Sequence, residues 1–427
     1  MKVSQSVRHI GRWWRPERPD EKLFGTLHFT TQEGATLKLR GVFADIPGGR
    51  KRYRLSEREE IILGEAKDGN LITLHDSIMS HSQFSYPGNR RTSEYLVRTF
   101  FVGAHFASPA HIKFSELFIR FMYLQLWVAG IGESLQARIP LDNLLLEVLP
   151  ASQSPRPPWL PTMHFVFAEP TPFDRADHYV TLLTKLLSLP AREACYPFEI
   201  LGRLSQGNPT FVQKYFSVPD MPNEEQKREY AMLFYVQDIA TRFEHHIQSW
   251  IESAKKLSGV YDLYFGTLRK KRLYEEMRFL SYTQALEIFH RVRIRDLERP
   301  KNEWRAIRNR VLKCLPDEKL SNHPEEADTY RTWVDRKLTN SPSLRVRFTE
   351  LEEHFRELVP TPLDDATITI ILKTRNVLTH ELSADTRSSA RGTDLLLLGN
   401  RLQWRVELCL LEALDYEKEK IKRLLPA

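Results

Sequence analysis

A change of hydrophobic period half-way along the chain limits its possible folds more than any other feature. Up to about residue 220, apolar and polar residues alternate in short runs broken by turn residues; beyond Glu224 the apolar residues recur every three to four positions. LFGTLHFT (23–30) and ATLKLRGVFA (35–44) read as strands parted by Gln32-Glu33-Gly34. IILGEA (61–66) and LITLHDS (71–77) flank Lys67-Asp68-Gly69-Asn70, which has the residues of a tight turn. EYLVRTFFVGAHF (94–106), HIKFSELFIRFMYLQLWV (111–128) and HFVFAEP (164–170) continue in the same style. Such spacing predicts an antiparallel, sandwich-like or barrel-like sheet.

The second half predicts helices. Tyr230, Phe234, Phe243, Ile247 and Trp250 lie at helical spacing, as do Met277, Leu280, Ala285, Ile288 and Phe289 within residues 275–292. Further helices are expected over 327–338 and 344–358. Another should follow Pro362, with Asp364 and Asp365 at its N-terminal turn, and a single leucine-rich helix should span 393–424. The proline-rich SQSPRPPWLP (152–161) reads as an exposed loop, and PDMPNEE (219–225) as the domain boundary. The expected architecture is α+β: a β-rich domain over 1–220 and an all-helical bundle over 221–427.

Composition narrows the function. Hydrophobic residues make up 41% of the chain, enough to fill cores rather than leave it disordered. The 62 basic residues outnumber the 55 acidic ones by an excess that a nucleic-acid partner and a solvated surface explain equally well. Three scattered cysteines without a CxxC pair give no zinc or disulfide framework, so neither metal nor cofactor is expected. The apolar stretch at 114–131 is interrupted by Glu116, Arg120 and Gln125, which makes it core rather than a membrane span. The first residues lack a signal-type apolar run, so a cytoplasmic protein is expected.

The chemistry concentrates in KTRNVLTHEL (373–382). A histidine titrates near neutral pH and can take a proton from a ribose 2′-OH; an arginine fork stays charged and matches phosphoryl oxygens. Arg375 and His380, with Asn376 between them, supply both. On a regular helix these two positions lie about 140° apart, so a loosened last turn is expected to bring them to one phosphate. Spacing alone selects little: Arg98…His105 and Arg347…His354 are comparable. His245-His246 faces two directions and is a poor chelate. Arg269–Arg272 is a basic run suited to a solvated face or an RNA backbone. Trp13 and Trp14, among Arg12, Arg15 and Arg18, fit either a base-stacking platform or an arm packed on the sheet.

Two segments carry a resemblance. RFLSYTQALEIFHR (278–291) and LKTRNVLTHEL (372–382) are similar, in that order, to helices of the ApeA-like HEPN family, and LFG, GNLITLHDS and VGAHF in the first half resemble the ApeA N-terminal domain. The resemblance implies a helical HEPN bundle that forms a homodimer and cuts RNA in abortive anti-phage defence, with Arg375, Asn376 and His380 as the site. It also implies a polar residue from an earlier helix, for which Glu287 is the candidate; the alternative for Glu287 is a surface pair with Arg291. A phage component is the expected trigger at the N-terminal domain. The rival is a HEPN bundle that dimerises or binds nucleic acid without cutting.

Overall fold

The computed structural model describes residues 4–43, 58–85, 90–140, 143–154, 157–204, 211–221, 232–270, 272–316, 318, 329–359, 361–380 and 389–424. The chain forms two compact units, one of residues 1–251 with 268–271 and one of 252–267 with 272–427. Tyr230 and most of the 219–225 segment lie outside the described residues.

The first unit holds strands β1 (Ser6–Trp14), β2 (Leu23–Thr30), β3 (Gly34–Leu39), β4 (Arg58–Ala66), β5 (Leu71–Ser85), β6 (Arg90–Val102), β7 (Lys113–Phe121), β8 (Leu135–Ile139), β9 (Leu144–Leu149), β10 (Thr162–Pro172), β11 (Pro197–Arg203) and β12 (Phe211–Phe216). Helices α1 (Leu124–Trp127) and α2 (Phe173–Ala191) lie among them. All pairings are antiparallel, in the order β3-β2-β1-β4-β5-β6-β12-β11-β7-β10-β9-β8. β3 also pairs with β6, Ala35 opposite Val97 and Leu39 opposite Ser93, and this closes the first six strands into a barrel. The long β6 makes closure possible: residues 93–97 pair with β3, while 99–102 pair with β12 and lead into the open remainder of the sheet. The β-rich half is as the sequence implies; its closure is a long-range pairing that local alternation does not specify.

Trp13 sits in the barrel core with Leu27, Phe29, Leu37, Ile62, Leu74, Tyr95 and Phe100. It is therefore neither an arm nor a stacking platform. Trp14 is also buried, with the Lys22 ammonium 4.3 Å from its ring centre and the edge of His105 against it. Burying each such side chain contributes about 1.5–3 kcal/mol. Gly64 is what admits the Trp13 ring: a Cβ there would fall 2.3 Å from Trp13 Cε3.

Past two short 3₁₀ turns comes α3 (Phe243–Lys256), so the helix expected from Tyr230 begins later. The second unit holds the end of α3, most of α4 (Ser258–Arg269), and α5 (Glu275–Arg293), α6 (Lys301–Lys313), α7 (Tyr330–Lys337), α8 (Leu344–His354), α9 (Asp365–His380), α10 (Gly392–Ala413) and α11 (Lys418–Arg423). α5 buries Phe279, Tyr282, Leu286 and Phe289, whereas Met277, expected in its core stripe, is exposed. α10 supplies Leu402, Val406 and Leu410 to the same unit's core. The single helix expected over 393–424 breaks at Asp415, whose φ of 56° is left-handed. No described helix is long and apolar enough to cross a membrane.

Gly64→Ala is expected to destabilise the barrel by about 1–3 kcal/mol, because Trp13 must shift from a packed position. Urea unfolding followed by tryptophan emission will show it as a lowered midpoint; an unchanged midpoint would mean the ring is not held as described.

Candidate active site

The motif helix α9 is fixed at its start. The Thr367 amide donates to Asp364 Oδ1 at 2.8 Å, an N-cap bond, and the Thr367 hydroxyl together with this amide holds the Asp364 carboxyl below the usual carboxylate range. Arg345 on α8 binds Asp365 and donates to Thr369 Oγ1 at 2.8 Å. Leu363, Ile368, Ile371 and Thr374 face inward, and Thr374 is fully buried. Its hydroxyl accepts the Ala390 amide at 2.9 Å, which ties the chain on the far side of residues 381–388 back to this helix.

With Thr374 facing in, Arg375 falls half-buried on the flank and Asn376 faces out. Arg375 Nη1 lies 3.5 Å from Asn376 Oδ1, a weak contact. The Thr379 hydroxyl is spent on the helix, donating to the Arg375 carbonyl at 2.8 Å. His380 is the last residue of α9; its side chain, like Glu381 and Leu382, lies outside the described residues. Among the described residues the helix is regular up to His380, with no loosened turn between Arg375 and His380. Positions 375 and 380 lie about 140° apart around the axis, and 376 and 380 about 40° apart.

Residues 8–143 match the model of ApeA N-terminal domain 1, and residues 280–420 match that of Apea-like HEPN. The chain carries these two ApeA-type domains. No curated protein and no solved structure matches it. The HEPN match places the second unit in a family of nuclease and defence-type domains.

Partners separate the three Arg–His spacings. Arg98 binds Asp76 at 3.4 Å and His105 binds the Gly64 carbonyl. Arg347, buried on α8 of the HEPN unit, donates to the Pro342 carbonyl and to His290 Nδ1, while His354 meets Glu412 at 2.6 Å. Among the described residues Arg375 has no carboxylate partner. Nor does any ion pair join Glu287 to Arg375 or to Arg291; the charge it faces is Arg347, and Arg291 pairs with Asp296 at 3.5 Å. His290 is fully buried. It bridges Arg347 to Glu350 Oε2, 2.8 Å away, and burial lowers it below the ordinary imidazole value. His246 is buried and His245 exposed, as their adjacent positions imply. Among the described residues no three His, Cys, Asp or Glu side chains are grouped to hold a metal.

Two features of the HEPN unit were not legible as site elements. One is the ion pair between Arg405 on α10 and Glu352 on α8, at 2.5 Å and 3.0 Å, with the side chains 5% and 11% exposed. Glu352 Oε2 also accepts the Leu363 amide at 2.8 Å, and Arg405 donates to the Thr361 carbonyl. The other is an open groove of about 520 Å³ between α9 and α10, lined by Thr367, Ile370, Ala390, Asp394, Leu397 and Arg401. Leu397 is 58% exposed and Ile370 40%.

Arg405→Met leaves Glu352 as a buried, half-satisfied charge. It is expected to cost about 3–5 kcal/mol, read as a loss of helical circular dichroism at lower urea; the double change Arg405→Met with Glu352→Leu should recover most of it. Full stability of the single variant would show that the pair does not anchor the helices.

Proposed function

We propose that the chain is a HEPN-type endoribonuclease of bacterial anti-phage defence that cuts RNA without a metal, by attack of a 2′-OH on the adjacent phosphorus. The observation that carries this reading is the half-exposed Arg375 guanidinium. It sits on the motif helix beside Asn376 and, among the described residues, has no carboxylate to neutralise it. Other arginines of the HEPN unit are engaged by carboxylates: Arg295 by Glu350, Arg345 by Asp365 and Arg405 by Glu352. An unpaired guanidinium is the group a phosphodiester needs as its negative charge grows in the transition state.

His380 would take the 2′-OH proton as the O2′–P bond forms. The P–O5′ bond breaks, a proton passes to the leaving 5′-oxygen, and a 2′,3′-cyclic phosphate and a 5′-hydroxyl result. One histidine cannot both take and give a proton in a single step, and the unbroken helix sets Arg375 and His380 on different faces. A homodimer resolves both: a second copy brings its own Arg375 and His380 to the first. The groove between α9 and α10, with Leu397 and Ile370 exposed, is the face proposed for that contact. The N-terminal unit would receive the trigger, a phage component, in a cytoplasmic protein. The same divergence of positions 375 and 380 also favours a second reading, a HEPN module that dimerises or binds RNA without cutting.

Cleavage of total RNA by the purified chain in the presence of a chelator tests the first reading. Arg375→Ala and His380→Ala are each expected to lower the rate at least about a hundredfold, and a 2′-O-methyl RNA should resist the native chain. Equal cleavage by native and variant chains would leave only the non-catalytic module. Leu397→Asp is expected to convert a dimer to a monomer in sedimentation and to abolish cleavage; a monomeric native chain would remove the two-copy site.

A further inference from the structure

We infer that the outer face of strands β1, β2 and β3 binds single-stranded RNA. Inward-facing residues of these strands fill the barrel, among them Trp13, Leu27, Phe29, Leu37 and Leu39. Alternation therefore turns Arg8, Ile10 and Arg12 outward from β1, Phe24, Thr26 and His28 from β2, and Thr36 and Lys38 from β3.

The register sets these residues in rows across the face. Arg12 lies opposite Phe24, and the Arg40 amide donates to the Phe24 carbonyl at 2.8 Å, so Arg12, Phe24 and Arg40 form one row. Ile10, Thr26 and Lys38 form the next, and Arg8, His28 and Thr36 the third. Lys67, in the turn between β4 and β5, joins them through its amide bond to the Ile10 carbonyl, also at 2.8 Å. Arg8, Arg12, Lys38, Arg40 and Lys67 are all exposed.

Charge and shape both point to a nucleic acid. Among the described residues Arg8, Arg12, Arg40 and Lys67 make no ion pair; Lys38 alone has one, with Glu94 at 3.3 Å. Of the other acids nearby, Asp68 is bound within its own turn by the amides of Asn70, and Glu65 flanks Arg12 on β4. The cations surround an aromatic ring: the Arg40 guanidinium lies 5.1 Å and the Lys67 ammonium 5.6 Å from the centre of half-exposed Phe24. Four positions along β1 span about 13 Å, and two strand spacings about 10 Å. Such a patch can neutralise several successive phosphates while the Phe24 ring takes an unpaired base. A duplex keeps its bases stacked and would leave the ring unused, and an acidic protein surface would not need it. The choice of RNA over DNA rests on the nuclease reading; the face would then hold a strand independently of its cleavage.

Binding of a fluorescent single-stranded RNA of about 12 nucleotides to the full chain, followed by anisotropy across a salt series, tests this without requiring cleavage. His380→Ala is used so that the probe stays intact. Arg12→Glu with Arg40→Glu is expected to weaken binding at least about tenfold and to flatten the dependence of log affinity on log salt by about 1.4, two phosphate contacts in a single strand. Phe24→Leu keeps apolar bulk without a flat ring; it is expected to weaken binding about fivefold or more and leave the salt slope unchanged. Arg12→Lys with Arg40→Lys should bind as the unaltered face does. Affinity within twofold for the charge-reversed and Phe24→Leu chains overturns the proposal. So does loss of RNA and of a labelled polyglutamate to the same degree, which marks an acidic-protein surface, or equal binding of duplex RNA. A DNA strand bound as tightly as RNA overturns the choice of RNA. Native chain that binds but does not cut defeats the nuclease reading alone.

Discussion

The HEPN unit is organised around one buried ion pair. Arg405 and Glu352 lie on α10 and α8, and between them they also hold the Thr361 carbonyl and the Leu363 amide, which begin the approach to α9. Two charges taken out of water repay their desolvation only when the remaining donors and acceptors are satisfied, and here the backbone ahead of the motif helix does that. The pair thus fixes where α9 starts, Asp364 caps it, and the inward stripe from Ile368 to Thr374 fixes its rotation. The position of Arg375 follows from these three constraints rather than from contacts of its own.

The distribution of arginines carries the functional contrast. Arg347 is buried against His290 and a carbonyl, and Arg295 forks onto Glu350 at 3.0 Å and 3.1 Å. That hydrogen bonding holds the Glu350 carboxyl below its ordinary range and leaves these guanidiniums committed to the fold. Glu287 lies within the field of Arg347 and makes no ion pair among the described residues. Among the described residues Arg375, and on the barrel Arg8, Arg12 and Arg40, make no ion pair, so their charge is not committed to a carboxylate.

What could be read from the sequence follows the same physics. α9 was legible because its cap, its apolar stripe and its Arg-Asn…His pattern are all local. α2 was not: twelve of its nineteen residues are buried, so it shows little polar face from which a period can be seen. β1 was obscured by charged residues that alternate with Trp13 and its neighbours, an alternation that makes sense only once the barrel closes. The break at Asp415 had no glycine or proline to announce it. At the site, residue types were legible and their convergence was not. Helix rotation at the last turn is set by whether hydrogen bonding continues, and it does.

That continuity has a consequence for where chemistry can occur. With 376 and 380 on one side of α9 and 375 toward the other, a phosphate contacted by Asn376 and His380 of one copy is poorly placed for the same copy's guanidinium. A two-fold axis running beside α9 would remove the difficulty, because it presents the flank of one helix to the outer side of the other. The arrangement then requires α9 to lie at the dimer face, which is where Ile370 and Leu397 are uncovered. An unbroken helix, the apolar groove beside it and an unpaired arginine are in this sense one constraint, and a single copy would satisfy only part of it.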